Sequence, residues 1–173
     1  MKTLSHRTLL AACVTVACVA AAPRADAGVL APSNATYVKE CGACHSAFSP
    51  QLLPAASWHR VMGHLDDHFG DSAKLDPATQ SAIEGYLAAN AADHADNSAS
   101  RAIMDSIRPG QVPARITEVP YIASLHAAVL DPRWNGRPHP KTLTECGVCH
   151  RRAAEGDFAA KTFSVNDEAF RGK

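Results

Sequence analysis

The chain has 173 residues, with 17 acidic and 17 basic side chains and a formal net charge of zero. This balance gives no electrostatic reason to expect binding to nucleic acid or to an anionic membrane surface. Aromatic residues make up only 6% of the chain, so its own side chains would build a thin core. A chain of this composition gains stability if another apolar group contributes to that core.

The first 27 residues have the pattern of a secretory signal peptide. Lys2 and Arg7 give a basic start, residues 8–22 form an uncharged run of about 15 residues, and residues 25–27 form a small-x-small cleavage site. The run is shorter than the roughly 20 residues that cross a bilayer. We expect cleavage after Ala27, a periplasmic location, and no transmembrane segment in the mature protein. Cys13 leaves a lipoprotein signal open as an alternative, although the apolar run before it is short.

Two copies of the pentapeptide Cys-x-x-Cys-His lie in the mature chain, at residues 41–45 and 146–150. This pattern is the covalent attachment site of haem c. It predicts two haem c groups, whose porphyrins would supply the missing apolar surface. We expect four cysteines to form thioethers and two histidines to bind the irons: Cys41, Cys44, Cys146 and Cys149, and His45 and His150. A zinc site built from paired cysteines remains an alternative.

The segment between the two motifs is predicted to be helical. Ser57 is a candidate N-cap for a helix over residues 58–69 that ends at Gly70, with an apolar face that includes Trp58 and Met62. Asp76-Pro77 predicts a second helix start, and this helix should reach about residue 92. Residues 93–100 have the composition of a linker. A third helix is expected over residues 121–130, followed by a loop over residues 133–140.

These patterns predict an all-α protein with short helices, long loops and two haem lobes. The segments before the two motifs are similar, since each contains a glutamate directly before the first cysteine. We therefore expect residues 28–173 to form one dihaem domain, with an N-terminal haem lobe at about 28–95 and a C-terminal lobe at about 100–173. The motif alone also dictates similar neighbours, so the repeat is a weak one.

The opposite face of each iron needs a second ligand if the site is closed. On a wheel of about 100° per residue, His68 lies nearest the apolar face of the first predicted helix, and His126 lies beside Ile122 and Leu125. We therefore expect His68 and His126 to be the sixth ligands, with His64 as a minor alternative. The remaining histidines are expected to be solvated and the two mature-chain methionines to pack in the core: His59, His94 and His139, and Met62 and Met104.

Several blocks of the mature chain resemble the dihaem cytochrome c (DHC) family of the bacterial periplasm. The likeness is carried by an Asp-His-Phe-Gly block at residues 67–70, by Arg115-Ile116-Thr117 followed by His126, and by the second haem motif with the block at residues 154–158. The resemblance implies two low-spin haems with bis-histidine ligation and sixth ligands at His68 and His126. Pairing His45 with His68 and His150 with His126 is natural by lobe, and a crossed pairing stays open.

The resemblance also implies a role as an electron carrier. The expected partners are redox proteins: a small oxygen-binding monohaem cytochrome c as acceptor and a membrane cytochrome as a conceivable donor. Two alternatives need an open or displaceable haem ligand. They are a haem enzyme with peroxidase-like or nitrogen-oxide chemistry, and a gas sensor.

Overall fold

The computed structural model describes residues 28–127 and 145–158. Within these ranges the regular structure is helical, with no β-strand, as the sequence predicts. Short 3-10 turns connect the α-helices at residues 50–52, 65–67, 92–94, 116–118 and 153–155. The helices are α1 (Ala35–Cys41), α2 (Ala55–Met62), α3 (Pro77–Ala89), α4 (Ser98–Ser106), α5 (Pro120–Leu125) and α6 (Cys146–Cys149).

Helix α1 leads directly into the first haem motif. The Asn34 side chain caps it by accepting a hydrogen bond from the Tyr37 backbone N–H at 2.8 Å. Tyr37 is buried, and its hydroxyl donates to the Phe48 carbonyl oxygen at 2.8 Å. The helix ends as Cys41 is reached, and the Gly42 N–H donates back to the Val38 carbonyl. The motif therefore starts from a helix whose inner face is fixed in the core.

Helix α2 is shorter than the sequence predicts and begins earlier. It starts at Ala55 after Pro54, so Ser57 is not the N-cap and lies buried inside the helix. It ends at Met62, because the Gly63 N–H closes the last turn on the His59 carbonyl. A 3-10 turn at residues 65–67 follows. The apolar spacing correctly marked Trp58 and Met62 as buried, but the prediction of one continuous helix to residue 69, with Phe69 also on its apolar face, was wrong: Phe69 is 45% exposed.

Helix α3 begins where the sequence predicts. The Asp76 carboxylate accepts hydrogen bonds from the N–H groups of Ala78 (3.1 Å) and Thr79 (3.0 Å), and Pro77 occupies the first turn. The helix ends at Ala89, three residues before the expected limit. Its inner face buries Ile83 and Leu87 almost completely.

The predicted linker is partly helical. Residues 92–94 form a 3-10 turn, and the Asn97 side chain caps α4 by accepting from the Ser100 N–H at 2.8 Å. Ser100 and Ile103 are buried, so small polar residues here reflect close helix packing and not a solvated connection. Helix α5 begins within one residue of its prediction and ends at Leu125, with His126 as C-cap. Residues 128–130 of that prediction, the predicted loop and the signal peptide lie outside the described residues.

The buried apolar residues form one cluster that extends from Val29 to Val119. Its members come from every helix between α1 and α4 and from the 3-10 turns beside them. Residues 28–31 also run past Gly156, which follows the last 3-10 turn with a φ of 75°. A Cβ at Gly156 would overlap the Val29 carbonyl oxygen, so glycine is required for this approach. No helix among the described residues is long and apolar enough to cross a membrane.

Candidate haem sites

The first haem motif turns His45 toward the face of the protein that carries His68. The His45 Nδ1–H donates to the Ser46 carbonyl at 2.8 Å, and the ring stacks on Phe48 with centroids 4.9 Å apart. A hydrogen bond from Nδ1 to a backbone carbonyl fixes the tautomer and leaves Nε2 for a metal. The rings of His45 and His68 lie 6.2 Å apart between centroids and 19° from parallel.

A tight turn after the 3-10 segment of residues 65–67 carries His68. The His68 N–H donates to the Asp71 carbonyl at 2.6 Å, and the Asp71 N–H returns a bond of 3.3 Å. Phe69 has a φ of 59°, the left-handed region, and Gly70 follows with a φ of 103°. A left-handed conformation costs a residue with a Cβ about 1–2 kcal/mol. The turn therefore stores strain at the residue next to His68.

The second motif forms helix α6 and presents His150 at its end. The His150 N–H donates to the Cys146 carbonyl at 2.7 Å, and the His150 ring meets the edge of Phe158 at 5.4 Å. The His126 ring lies opposite, 6.0 Å away between centroids with an interplanar angle of 74°. The His126 Nδ1–H donates to the Ile122 carbonyl at 2.8 Å, which again leaves Nε2 for a metal.

The two ring separations fit a haem iron between each pair. An imidazole–metal bond of about 2.0 Å on each side, with about 1.2 Å inside each ring, separates two trans ring centroids by about 6.4 Å. The observed values are 6.2 and 6.0 Å. Of the two pairings that the sequence leaves open, the structure brings together His45 with His68 and His150 with His126.

Apolar side chains beside these histidines are exposed. Phe69 follows His68, Leu125 precedes His126, and Val148 lies within the second motif; their exposed fractions are 45%, 63% and 42%. Large exposed apolar groups around a concave site mark a surface that binds an apolar partner. A porphyrin bonded at each motif would cover such side chains.

The four motif cysteines are not joined in disulfides. Burial, with a contribution from the Glu40 carboxylate, raises the pKa of Cys41 to about 11, and burial raises the pKa of Cys146 and of Cys149. A thiolate at these positions is disfavoured because charge is poorly solvated there. A thioether carries no ionisable group, so it suits the same poorly solvated positions.

Burial also acts on the facing histidines. It lowers the pKa of His68, helped by the nearby rings and charges of His45 and Arg115, and it lowers the pKa of His150, helped by His126. A lowered pKa keeps an imidazole neutral at physiological pH. The neutral form is the one that binds a metal.

The other histidines of the described residues do not form a facing pair with a motif histidine. His59 and His94 are exposed, as expected, and the His59 Nδ1 contacts the Glu84 carboxylate at 2.6 Å. His64 donates its Nδ1–H to the Arg60 carbonyl at 2.8 Å and shares with His68 the lining of a cavity of about 190 Å³. Met62 is buried and Met104 packs against the core, again as expected. His139 lies outside the described residues.

The dihaem cytochrome c (DHC) family profile matches residues 37–158, a range that contains both motifs and all four facing histidines. The chain belongs to the dihaem cytochrome c family. It therefore carries two covalently bound haem c groups at its Cys-x-x-Cys-His motifs, and the zinc alternative is not retained. Membership also assigns it to a class of electron-transfer haem proteins.

Solved structures agree with this assignment. A diheme cytochrome c from Rhodobacter sphaeroides superposes with a TM-score of 0.65 and 35% identity, over 76% of this chain and 100% of that chain. The diheme cytochrome type c of Shewanella baltica OS155 gives a TM-score of 0.60 and 34% identity, over 78% and 94% of the two chains. A comparison with curated proteins found no match.

Three aromatic contacts at these sites were not predicted from the sequence. Phe48 stacks on His45, Phe158 meets His150, and the Arg115 guanidinium lies over the Phe69 ring at 3.8 Å. A phenylalanine three residues beyond the first motif is a local signal that was available. The Arg115 contact joins residues 46 positions apart and has no local signal.

Proposed function

We propose that this protein is a periplasmic electron carrier with two bis-histidine, low-spin haems. His45 and His68 would bind the iron of the N-terminal haem, and His150 and His126 that of the C-terminal haem. The observation that carries the proposal is the pair of facing imidazoles at each motif, with centroids 6.2 and 6.0 Å apart. The cysteine thioethers would fix each porphyrin in place.

Bis-histidine ligation decides what such a site can do. With both axial positions occupied, an external molecule cannot reach the metal without displacing an imidazole. The bound haem then supplies one-electron redox chemistry. Two imidazoles also hold its potential below that of a histidine–methionine site. The chain's own contribution is to hold the rings in place through the Nδ1–H bonds of His45 and His126 to backbone carbonyls.

The proposed partners are other redox proteins. A small oxygen-binding monohaem cytochrome c is the proposed acceptor, and a membrane cytochrome is a candidate donor. The exposed Cys44 supports surface electron exchange, because a porphyrin bonded to it would have one edge near the exterior. The signal-like first 27 residues support export. We further propose N- and C-terminal haem lobes at about 28–95 and 100–173.

Spectroscopy combined with electron transfer tests this function. Holoprotein from a host that matures cytochromes c should contain two haems per chain, give low-spin spectra in both oxidation states, and bind carbon monoxide slowly or not at all. The reduced protein should also reduce a monohaem cytochrome c in stopped-flow mixing. A high-spin band with rapid formation of a carbonyl complex would instead favour the enzyme or sensor.

A further inference from the structure

The turn that carries His68 contains one residue, Phe69, in an unfavourable backbone conformation. Among the described residues, Phe69 is the one non-glycine with a positive φ. Strain of this kind persists where surrounding contacts over-determine the backbone, and it concentrates at functional sites. The local contacts are the two hydrogen bonds between His68 and Asp71, the bond from the Phe69 N–H to the Asp67 carbonyl, and the bond from the Gly70 N–H to the Asp67 carboxylate.

A distant arginine supplies the further contact. The Arg115 guanidinium lies 3.8 Å from the centroid of the Phe69 ring, a cation–π geometry. The Phe69 ring also contacts the His68 ring, with centroids 4.8 Å apart. Arg115, Phe69 and His68 therefore form a continuous series of contacts that ends at an imidazole.

Arg115 is itself firmly placed. The Glu118 carboxylate accepts hydrogen bonds from the N–H groups of Ala114 (3.0 Å) and Arg115 (3.2 Å), and the next residue, Val119, is fully buried. A second arginine, Arg60 of α2, donates to the Val112 carbonyl at 2.6 Å. Residues 112–119 are thus fixed to α2 and to the core, and they can restrain the His68 turn.

We propose that Arg115 is a positioning residue that, through Phe69, keeps His68 on the iron of the N-terminal haem. This inference rests on the proposed function, because it takes His68 as an axial ligand. Without the guanidinium, Phe69 loses one of the contacts that offset the free-energy cost of its left-handed backbone conformation. The turn then relaxes more often, and His68 leaves the metal for a larger fraction of the time.

The test measures carbon monoxide binding to the reduced holoprotein of Arg115→Gln. We expect the observed rate to rise about two- to fivefold, the size expected for the loss of one partly exposed cation–π contact, and to do so for half of the haem. Arg115→Lys keeps a cation near the ring and should restore a rate close to wild type. Arg101→Gln is the matched control, since Arg101 is an exposed arginine of α4 that pairs with Asp96, just before that helix.

A second variant separates positioning from charge or misfolding. Phe69→Leu keeps the arginine but removes its aromatic partner, so it should accelerate carbon monoxide binding to a similar degree. The double variant should then add little to either single change, because both remove the same contact. If Phe69→Leu and Arg115→Gln both bind carbon monoxide like wild type, or if Arg101→Gln matches Arg115→Gln, the proposal is overturned.

One more variant distinguishes this failure from failure of the proposed function. His68→Ala should open one haem completely to carbon monoxide. If that variant stays low-spin and closed, the ligand assignment is wrong and Arg115 loses its proposed role with it. If His68→Ala opens the haem while the Arg115 and Phe69 variants do not, the ligand assignment survives and the positioning proposal alone fails.

Discussion

The two haem sites share ring spacing but differ in how the structure supports their histidines. At the N-terminal site His45 and His68 are nearly parallel at 19°, whereas His126 and His150 are closer to perpendicular at 74°. His68 comes from a strained turn held by Arg115. His126 comes from the end of helix α5, where its backbone N–H and its ring both bond to the preceding turn.

The difference shows that a histidine facing a haem motif can be held either by contacts with distant residues or by its own helix end. His126 needs little beyond its own helix end, since the Ile122 carbonyl accepts from its Nδ1. His68 depends on residues far along the chain. The N-terminal motif also continues from α1, which buries Tyr37 in the core, whereas α6 contacts the 3-10 turn of residues 153–155 and, through the ring of the next residue, His150, contacts His126 and Phe158.

The largest predicted contrast comes from removing each pair of thioethers. Cys41→Ala with Cys44→Ala should leave one haem per chain and lower the melting temperature strongly, because α1 and the core pack around that site. Cys146→Ala with Cys149→Ala should also leave one haem but unfold at a higher temperature than the first variant. Haemochrome spectra, intact mass and thermal melts provide the comparison. Equal melting temperatures would contradict the difference in core attachment.

Replacing one sixth ligand at a time should open one haem of two. His68→Met keeps a potential ligand and should raise the midpoint potential of the N-terminal haem, because a thioether favours reduced iron. His126→Ala offers no replacement and should turn the C-terminal haem high-spin. Redox titration and magnetic spectroscopy distinguish the two sites. His59→Ala is a suitable control, and an unchanged titration curve in His68→Met would remove that residue from the ligand set.

Gly156→Ala should weaken the attachment of the C-terminal site without touching a ligand. The new Cβ would overlap the Val29 carbonyl, and the alanine would have to adopt the φ of 75° that the glycine has. We expect a loss of about 2 kcal/mol or more in unfolding free energy, measured by denaturant titration of the holoprotein. Gly85→Ala is the matched control, since nothing lies within 4 Å of a Cβ there. Equal stability of the two variants would show that this approach is not needed.

Tyr37→Phe should give the smallest effect, and at the N-terminal site. It removes the hydroxyl that donates to the Phe48 carbonyl, so we expect a loss of about 1 kcal/mol in unfolding free energy and a small change in the spectrum of the haem that His45 binds. Tyr121→Phe is the comparison, because within residues 28–127 and 145–158 the Tyr121 hydroxyl has no hydrogen-bond partner at the N-terminal site. A stability equal to wild type would show that the buried bond adds nothing.

Features that are encoded within a few residues could be predicted from the sequence, whereas contacts between residues far apart in the chain could not. The Asp76 cap and the start of α5 were predicted because a cap, or a proline near a helix start, is encoded within a few residues. The end of α2 was misjudged, because Gly63 closes the helix while the apolar spacing continues through Leu65. Helix α4 was not predicted, because small residues such as Ser100 suit both a linker and a close helix contact.

Electron paramagnetic resonance of the oxidised holoprotein tests the central claim most directly. We predict two low-spin ferric signals of equal intensity and no high-spin signal. Because the angle between imidazole planes sets the splitting of the iron d orbitals, the near-parallel His45–His68 site should be the more rhombic. The signal lost in His68→Ala should be that one. A high-spin species in the wild-type protein, or a low-spin spectrum unaltered in His68→Ala, would contradict the account.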